Sequence, residues 1–345
     1  MTGSESLAGP RLPLLSDAQC QRCELRDACG GCLNGPCGVC DAECHIAAAL
    51  ELGAVAPDYR IRLRIWHEEL GGSLCLDTRL EVPLTSLPSF IPLVKPEQAN
   101  QRLPARPWYA VSIASVYNRN GKPITGSIRT KLGMPSSSKL LLVMHEKDRQ
   151  IDRLWPRILN GEVANELRQM APDLVLGPNY SVFLDQPRAT HLLRMKESLV
   201  AVERLSAAGM PVVPNVYFAC MHDVERWTAW LQRNPRVAAI AVNLQVDVSN
   251  QLLERLHQHL RALLRSVQRK LQVITVGPAR PSSLARLPFD IASVVTVSAL
   301  SDQVAARKHV LRSVGPPELL YEANHTERLA ESLAVQDTWT QVLAL

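Results

Sequence analysis

Short runs of apolar, often β-branched residues alternate along the chain with longer stretches whose apolar positions recur every three or four residues. The short runs are 89–94, 108–116, 140–144, 174–180, 211–218, 238–245, 273–276 and 292–297. Each is brief and apolar at successive positions, which predicts strands buried on both faces. The stretches 188–208, 224–233 and 251–271 carry the spacing of amphipathic helices. Strands followed by helices predict a parallel sheet. Eight of them predict an α/β fold of the (β/α)8 TIM-like barrel type, with a doubly wound open sheet as the alternative. The first two connections have no helical period and are expected to be irregular.

The first fifty residues break this pattern. Seven of the nine cysteines fall between Cys20 and Cys44, at Cys20, Cys23, Cys29, Cys32, Cys37, Cys40 and Cys44. Three Cys-x-x-Cys pairs in so short a stretch predict a metal-binding module, because two intervening residues let two thiolates turn onto one ion. Zinc and an iron–sulfur cluster both take such ligands, and His45 would complete eight donors for two closed sites. The stretch from Cys29 to Cys40 resembles, over about a dozen residues, the cluster-binding N-termini of carbon monoxide dehydrogenases. The expected organisation is a cysteine-rich module at 1–50, a barrel at 51–315 and a helical tail at 316–345.

In a barrel, ligands meet the C-terminal ends of the strands, so the polar residues closing each run are the candidates for a site. Asn118 and Arg119 follow the second run, His145 and Asp148 the third, and Asn179, Tyr180 and Asp185 the fourth. Asn215 lies in the fifth, Asn243 and Gln245 in the sixth, Gly277 and Arg280 follow the seventh, and Ser298 and Asp302 the eighth. Amides inside apolar strands suit the paired donor and acceptor of a heterocycle edge. The expected site is therefore Asn215, Asn243, Gln245, Arg280 and Tyr180 for substrate, with Asp185 and Asn179 for chemistry.

Charge adds a second surface. The net charge is +5, and between Lys95 and Lys139 eight basic residues face the single acid Glu97. This segment predicts phosphate binding through Arg102, Arg106, Arg119, Arg129 and Lys131, with Trp108, Tyr109 and Tyr117 as stacking groups for nucleic acid. No apolar run reaches the ~18 residues of a membrane span. Residues 1–15 lack the basic and long apolar regions of an export signal, so a cytoplasmic location is expected. No Gly-x-Ser-x-Gly elbow, Walker A loop, His-Glu-x-x-His helix or dinucleotide fingerprint is present.

The stretch Val273-Ile-Thr-Val-Gly277-Pro-Ala-Arg280-Pro-Ser-Ser-Leu-Ala-Arg-Leu is similar to the strand, turn and helix that precede the nucleophile strand of the tRNA-guanine transglycosylase superfamily, which includes relatives inserting 7-deazapurines into DNA. Pro211-Val-Val-Pro-Asn215 and Ile240-Ala-Val-Asn243-Leu-Gln245 resemble that family's base-reading strands. Gly177-Pro-Asn179-Tyr-Ser181 with Asp185-Gln-Pro187 resembles an uncharacterised mobile-element family with a Pro-Asp-Phe-Ser signature. Together these cover about a third of the chain. The resemblance implies action on a purine, a 7-deazapurine or nucleic acid, in a bacterial modification or antiviral defence pathway. The family's nucleophile is an aspartate on the strand that aligns with 291–298, where this chain has none, Asp290 standing before it. Its zinc motif after the barrel is absent as well. Three readings follow: a transglycosylase-like enzyme, a barrel binding a nucleobase, nucleic acid or protein without chemistry, and an iron–sulfur redox enzyme.

Overall fold

A computed structural model of the chain describes residues 68–72, 75–82, 86–96, 103–124, 126–180, 188–245, 250–277, 281–313, 316–319 and 323–344. The seven-cysteine segment lies outside the described residues. The chain divides into two compact units, Leu76–Ser181 with Arg194–Leu345, and Met1–Cys75 with Val182–Leu193. The elements below belong to the first, apart from the opening of the helix that starts at Arg188.

Eight parallel strands form: β1 (Phe90–Pro92), β2 (Trp108–Ser112), β3 (Lys139–Val143), β4 (Leu174–Leu176), β5 (Val212–Val213), β6 (Ala239–Asn243), β7 (Gln272–Val276) and β8 (Ser293–Ser298). All eight expected runs are present, most of them shorter than the apolar pattern. The fifth is cut to two residues because Pro211 and Pro214 flank it and neither has an N–H for a ladder. After Ser112 the second run turns into a 3-10 helix, Ile113–Ser115, capped by the Ser112 hydroxyl, which accepts from the Ala114 N–H. Pro178 follows the end of the fourth.

The strands make two four-stranded parallel sheets, in the orders β1-β8-β7-β6 and β2-β3-β4-β5. Single parallel bridges, Leu93 to Ala110 and Asn215 to Ala241, join their edges. Helices α1 (Ile128–Lys131), α2 (Asp148–Leu159), α3 (Glu162–Met170), α4 (Arg188–Ala207), α5 (Met221–Arg233), α6 (Asn250–Val267), α7 (Pro281–Leu284), α8 (Leu300–Ala306) and α9 (His325–Ala344) occupy the connections and the C-terminus. Among the described residues neither early connection carries a long helix, in line with their pattern: β1 to β2 shows no helix beyond single turns, and β2 to β3 shows the 3-10 turn and α1.

Strand residues such as Ile91, Val111, Leu141, Val175, Ile240 and Ile274 are fully buried. Burying each such side chain contributes about 1.5–3 kcal/mol. In α5, Trp227 and Trp230 meet edge to face at 5.6 Å, and the Trp230 indole N–H donates to the Thr78 carbonyl. The C-terminal helix is more than a tail: Leu329 and Leu333 of α9 share a cluster with Phe90 of β1 and Ala305 of α8. A short antiparallel pair, β9 (His309–Val310) with β10 (Glu318–Leu319), precedes it and was not foreshadowed by the pattern. No helix among the described residues is long and apolar enough to cross a membrane.

Candidate functional site

Parallel strands deliver all their C-terminal ends to one side, where the loops that follow can converge. On that side Ser112 ends β2, His145 and Glu146 follow β3, Gly177 and Asn179 follow β4, Asn215 follows β5, Asn243 ends β6 and Gly277 follows β7. His145 is 4% exposed, and neither ring nitrogen has a hydrogen-bond partner of acceptable geometry. Burial pushes its pKa down to about 3, outweighing the nearby Gly177 backbone, which acts in the opposite sense. The imidazole is therefore neutral at neutral pH, with one nitrogen able to donate and the other to accept.

Asn215 is also 4% exposed. Its Nδ2 donates to Asn179 Oδ1 at 2.7 Å, while its own Oδ1 is buried without a partner. Gly177 is the common neighbour of these groups. A Cβ there would come within 2.4 Å of Val202 Cγ2, 3.2 Å of the Val213 oxygen and 3.8 Å of the Asn215 nitrogen, and the Asn179 N–H donates to the Met144 carbonyl. An unpaired buried polar atom costs about 1–3 kcal/mol, so three of them in one neighbourhood are either a defect or a place for a ligand.

The end of β6 is held by its neighbours. Asn243 Oδ1 accepts from the Gln245 N–H at 3.0 Å, so one face of this amide closes a local turn and the exposed Gln245 stands beside it. Gly277, at φ +117, lets β7 pass this turn: a Cβ would lie 2.7 Å from the Gln245 nitrogen. Since Asn215 bridges to Ala241, the sequence-predicted amides Asn179, Asn215, Asn243 and Gln245 lie on three adjacent strand ends. Tyr180 is placed differently. Its buried ring meets Trp155 at 6.2 Å and the Arg194 guanidinium at 5.4 Å, between side chains of α2 and α4. Asp185 and Arg280 lie outside the described residues, as do Arg102 and the metal candidates Cys20, Cys23, Cys29, Cys32, Cys37, Cys40 and Cys44.

The basic segment separates into two groups. At the N-terminal ends of β2 to β4, Arg106 makes a bidentate pair with Asp337, both contacts at 2.7 Å. Arg129 pairs with Asp173 and donates to the Ser138 carbonyl, and Asp173 also accepts from the Leu140 N–H. Lys131 stands beside Gly126 near α1. A shallow cleft of about 1130 Å³ lies here, bounded in part by Arg129, Lys139, Asp173 and Ser136. Trp108, Tyr109 and Tyr117, expected to stack on bases, are 3%, 0% and 0% exposed. That expectation is corrected: β2 and the turn after it are core, and these rings pack inward.

Arg119 belongs to the second group. With Asn120, Lys147, Arg149, Gln150 and Arg153 it lines a recess of about 380 Å³ after β2 and β3, on the side that carries His145. Beside it the Ser112 hydroxyl donates to Glu146 at 2.8 Å. Lys147, Arg149 and Arg153 escaped the sequence reading because they fall past the basic segment. The signal was there, since Arg149 and Arg153 are four apart on one helix face. His145 was legible as a strand-closing residue, but its isolation from partners was not. Among the described residues no group of three or more histidine, cysteine, aspartate or glutamate side chains is arranged to hold a metal.

No family model and no curated protein matches this chain. Among solved structures, a cube-shaped, highly porous protein cage designed by fusing symmetric oligomeric domains is 14% identical, with a TM-score of 0.37 over 75% of each chain. A structure described as native KDPGal is 12% identical, with a TM-score of 0.36 over 75% of this chain and 99% of that one. Likeness at this level carries no argument about function.

Proposed function

We propose that the two sheets are halves of one (β/α)8 barrel, and that the C-terminal ends of β3 to β6 recognise a purine-type base, as a small molecule or within a nucleotide or nucleic acid. The barrel reading is supported by the pairing of β1 with β8 and by the single bridges that join β1 to β2 and β5 to β6. The observation that carries the base reading is the set of buried, unpartnered polar atoms around Gly177: both nitrogens of His145 and Oδ1 of Asn215. A neutral imidazole and an amide offer donors and acceptors without net charge, which suits the edge of a neutral heterocycle. The similarity of 273–287 to tRNA-guanine transglycosylases supports a purine or 7-deazapurine among heterocycles. Asp185 is the group we assign to proton handling if the bound base is exchanged, while Asn179, whose amide does not titrate, would contribute hydrogen bonds to that chemistry. Asp290 does not support a nucleophile's role, because it precedes β8 and pairs with Arg261 at 2.8 Å. The cysteine spacing at 20–44 supports a zinc or iron–sulfur site in the same chain. A bacterial nucleic-acid modification or defence pathway in the cytoplasm is the setting this reading implies.

Calorimetry of the full chain with guanine, 7-deazaguanine and guanosine tests the proposal. At least one should bind, and Asn215→Leu should weaken it by about tenfold or more. No binding of any of the three ends the base reading. Incorporation of labelled guanine into RNA or DNA would assign exchange in addition to recognition.

A further inference from the structure

We infer that the recess lined by Arg119, Lys147, Arg149 and Arg153 binds a phosphate group; the inference deepens the base-recognition reading, on which the choice of a nucleotide-type ligand rests. Four cationic side chains from two separate segments border one space of about 380 Å³, and none is paired with a described carboxylate. Each pair of like charges brought together this way repels, by about 1 kcal/mol at 4 Å even in water, and an anion in the recess would relieve that repulsion. Where arginines of this fold serve structure they are given partners, as Arg106 is by Asp337 and Arg129 by Asp173.

The helix that borders the recess adds its dipole. The 12-residue α2 starts at Asp148 with no side-chain cap from Lys147; the Gln150 N–H turns back to the Lys147 carbonyl and the Lys147 N–H donates to Glu146, and the positive end of the helix dipole lies beside the recess. Such an end favours phosphate. Arg153 is anchored by donating to the Arg119 carbonyl, which ties the helix to the loop after β2. Lys147 is two residues from His145, so their Cα atoms lie within about 7 Å. A base among His145, Asn179 and Asn215 would thus be within a nucleotide's reach of the recess. The phosphate monoester of a free nucleotide and the diester of a polynucleotide share the chemistry that this site would recognise.

Titrations of the full chain with guanosine, guanosine 5′-monophosphate, pyrophosphate and a single-stranded RNA oligonucleotide separate the possibilities. If a free nucleotide is the ligand, the monophosphate should bind at least about tenfold tighter than guanosine, and Arg119→Gln with Lys147→Gln should abolish the difference. If a polynucleotide is the ligand, the double variant should lower the slope of log affinity against log salt by about 1.4. Arg149→Gln, which leaves the loop after β2 intact, should give a smaller change of the same sign. Equal affinity for guanosine and its monophosphate, together with an unchanged oligonucleotide slope in folded variants, would overturn the inference. Pyrophosphate binding that the double variant loses, with no guanosine binding, would sink the base reading and leave the phosphate site standing.

Discussion

The two ends of the parallel strands treat polar groups in opposite ways. At the N-terminal ends, charges are neutralised and donors placed: Arg106 with Asp337, Arg129 with Asp173, and the Arg269 guanidinium on the carbonyls of Leu231, Asn234 and Val237. Asn234 accepts from the Leu80 N–H and donates to the Trp230 carbonyl, tying residues 76–82 over the start of β6. Arg106 Nε and Gln272 Oε1 are nevertheless buried without partners at this end too. At the C-terminal ends, His145 and Asn215 are buried with unpaired atoms, and no side chain of the basic cluster is paired with a described carboxylate, although Glu146 stands beside it. The contrast separates arginines that hold the fold from those left for a ligand, although Arg106, Arg129 and Arg119 come from the same basic stretch of sequence.

The sharpest way to break this comparison is Arg129→Gln. It removes a partly buried ion pair and a bond to the Ser138 carbonyl, and should cost about 2 kcal/mol in denaturant unfolding. If Arg129 serves only the fold, its loss leaves the salt dependence of RNA binding unchanged. A flattened slope would show that the N-terminal end also meets nucleic acid.

The next largest effect concerns His145. Replacing this buried imidazole by leucine removes a polar group whose one contact in the unliganded fold, with the Gly177 backbone, is outweighed by the cost of its burial. His145→Leu should therefore leave stability unchanged or raise it by about 1 kcal/mol while weakening base binding. Its pKa is depressed on folding, from an ordinary 6.5 to about 3. Wild-type stability is thus fully present above about pH 6.5 and is lost as pH falls below it, by up to about 1.4 kcal/mol per pH unit from this group. His257 and His259 in α6, also lowered by burial, act in the same sense in both proteins. Unfolding measured between pH 7 and 4 should show a shallower acid decline in His145→Leu. A loss of several kcal/mol at pH 7 would instead mark His145 as a structural residue and remove the contrast between the two ends.

The smallest effect is expected at Asn243. Asn243→Ala deletes one turn-closing bond at an incompletely buried position and should cost about 0.5–1 kcal/mol. Thermal melting together with base titration separates its two uses: a stability change alone confines it to the turn, and a loss of affinity extends the site from Asn215 onto β6.

Much of the fold was legible in the chain itself. Eight apolar runs became eight parallel strands in order, because a strand buried on both faces must be apolar at successive positions whatever surrounds it. The runs at 174–180 and 211–218 were expected to continue through Pro178 and Pro214, where the structure ends them at Leu176 and Val213. The strand-closing amides were legible because parallel strands place their ends together once the direction of the sheet is known. Partnership was not legible. Arg106 and Asp337 are 231 positions apart and Arg129 and Asp173 are 44 apart, so the sequence showed a basic surface where the fold has ion pairs. The isolation of His145 and the gathering of Arg119 with Lys147, Arg149 and Arg153 depend likewise on which groups arrive in space. Composition and periodicity determine what each segment must bury, but whether a buried or charged atom finds a partner is decided only when distant segments pack together.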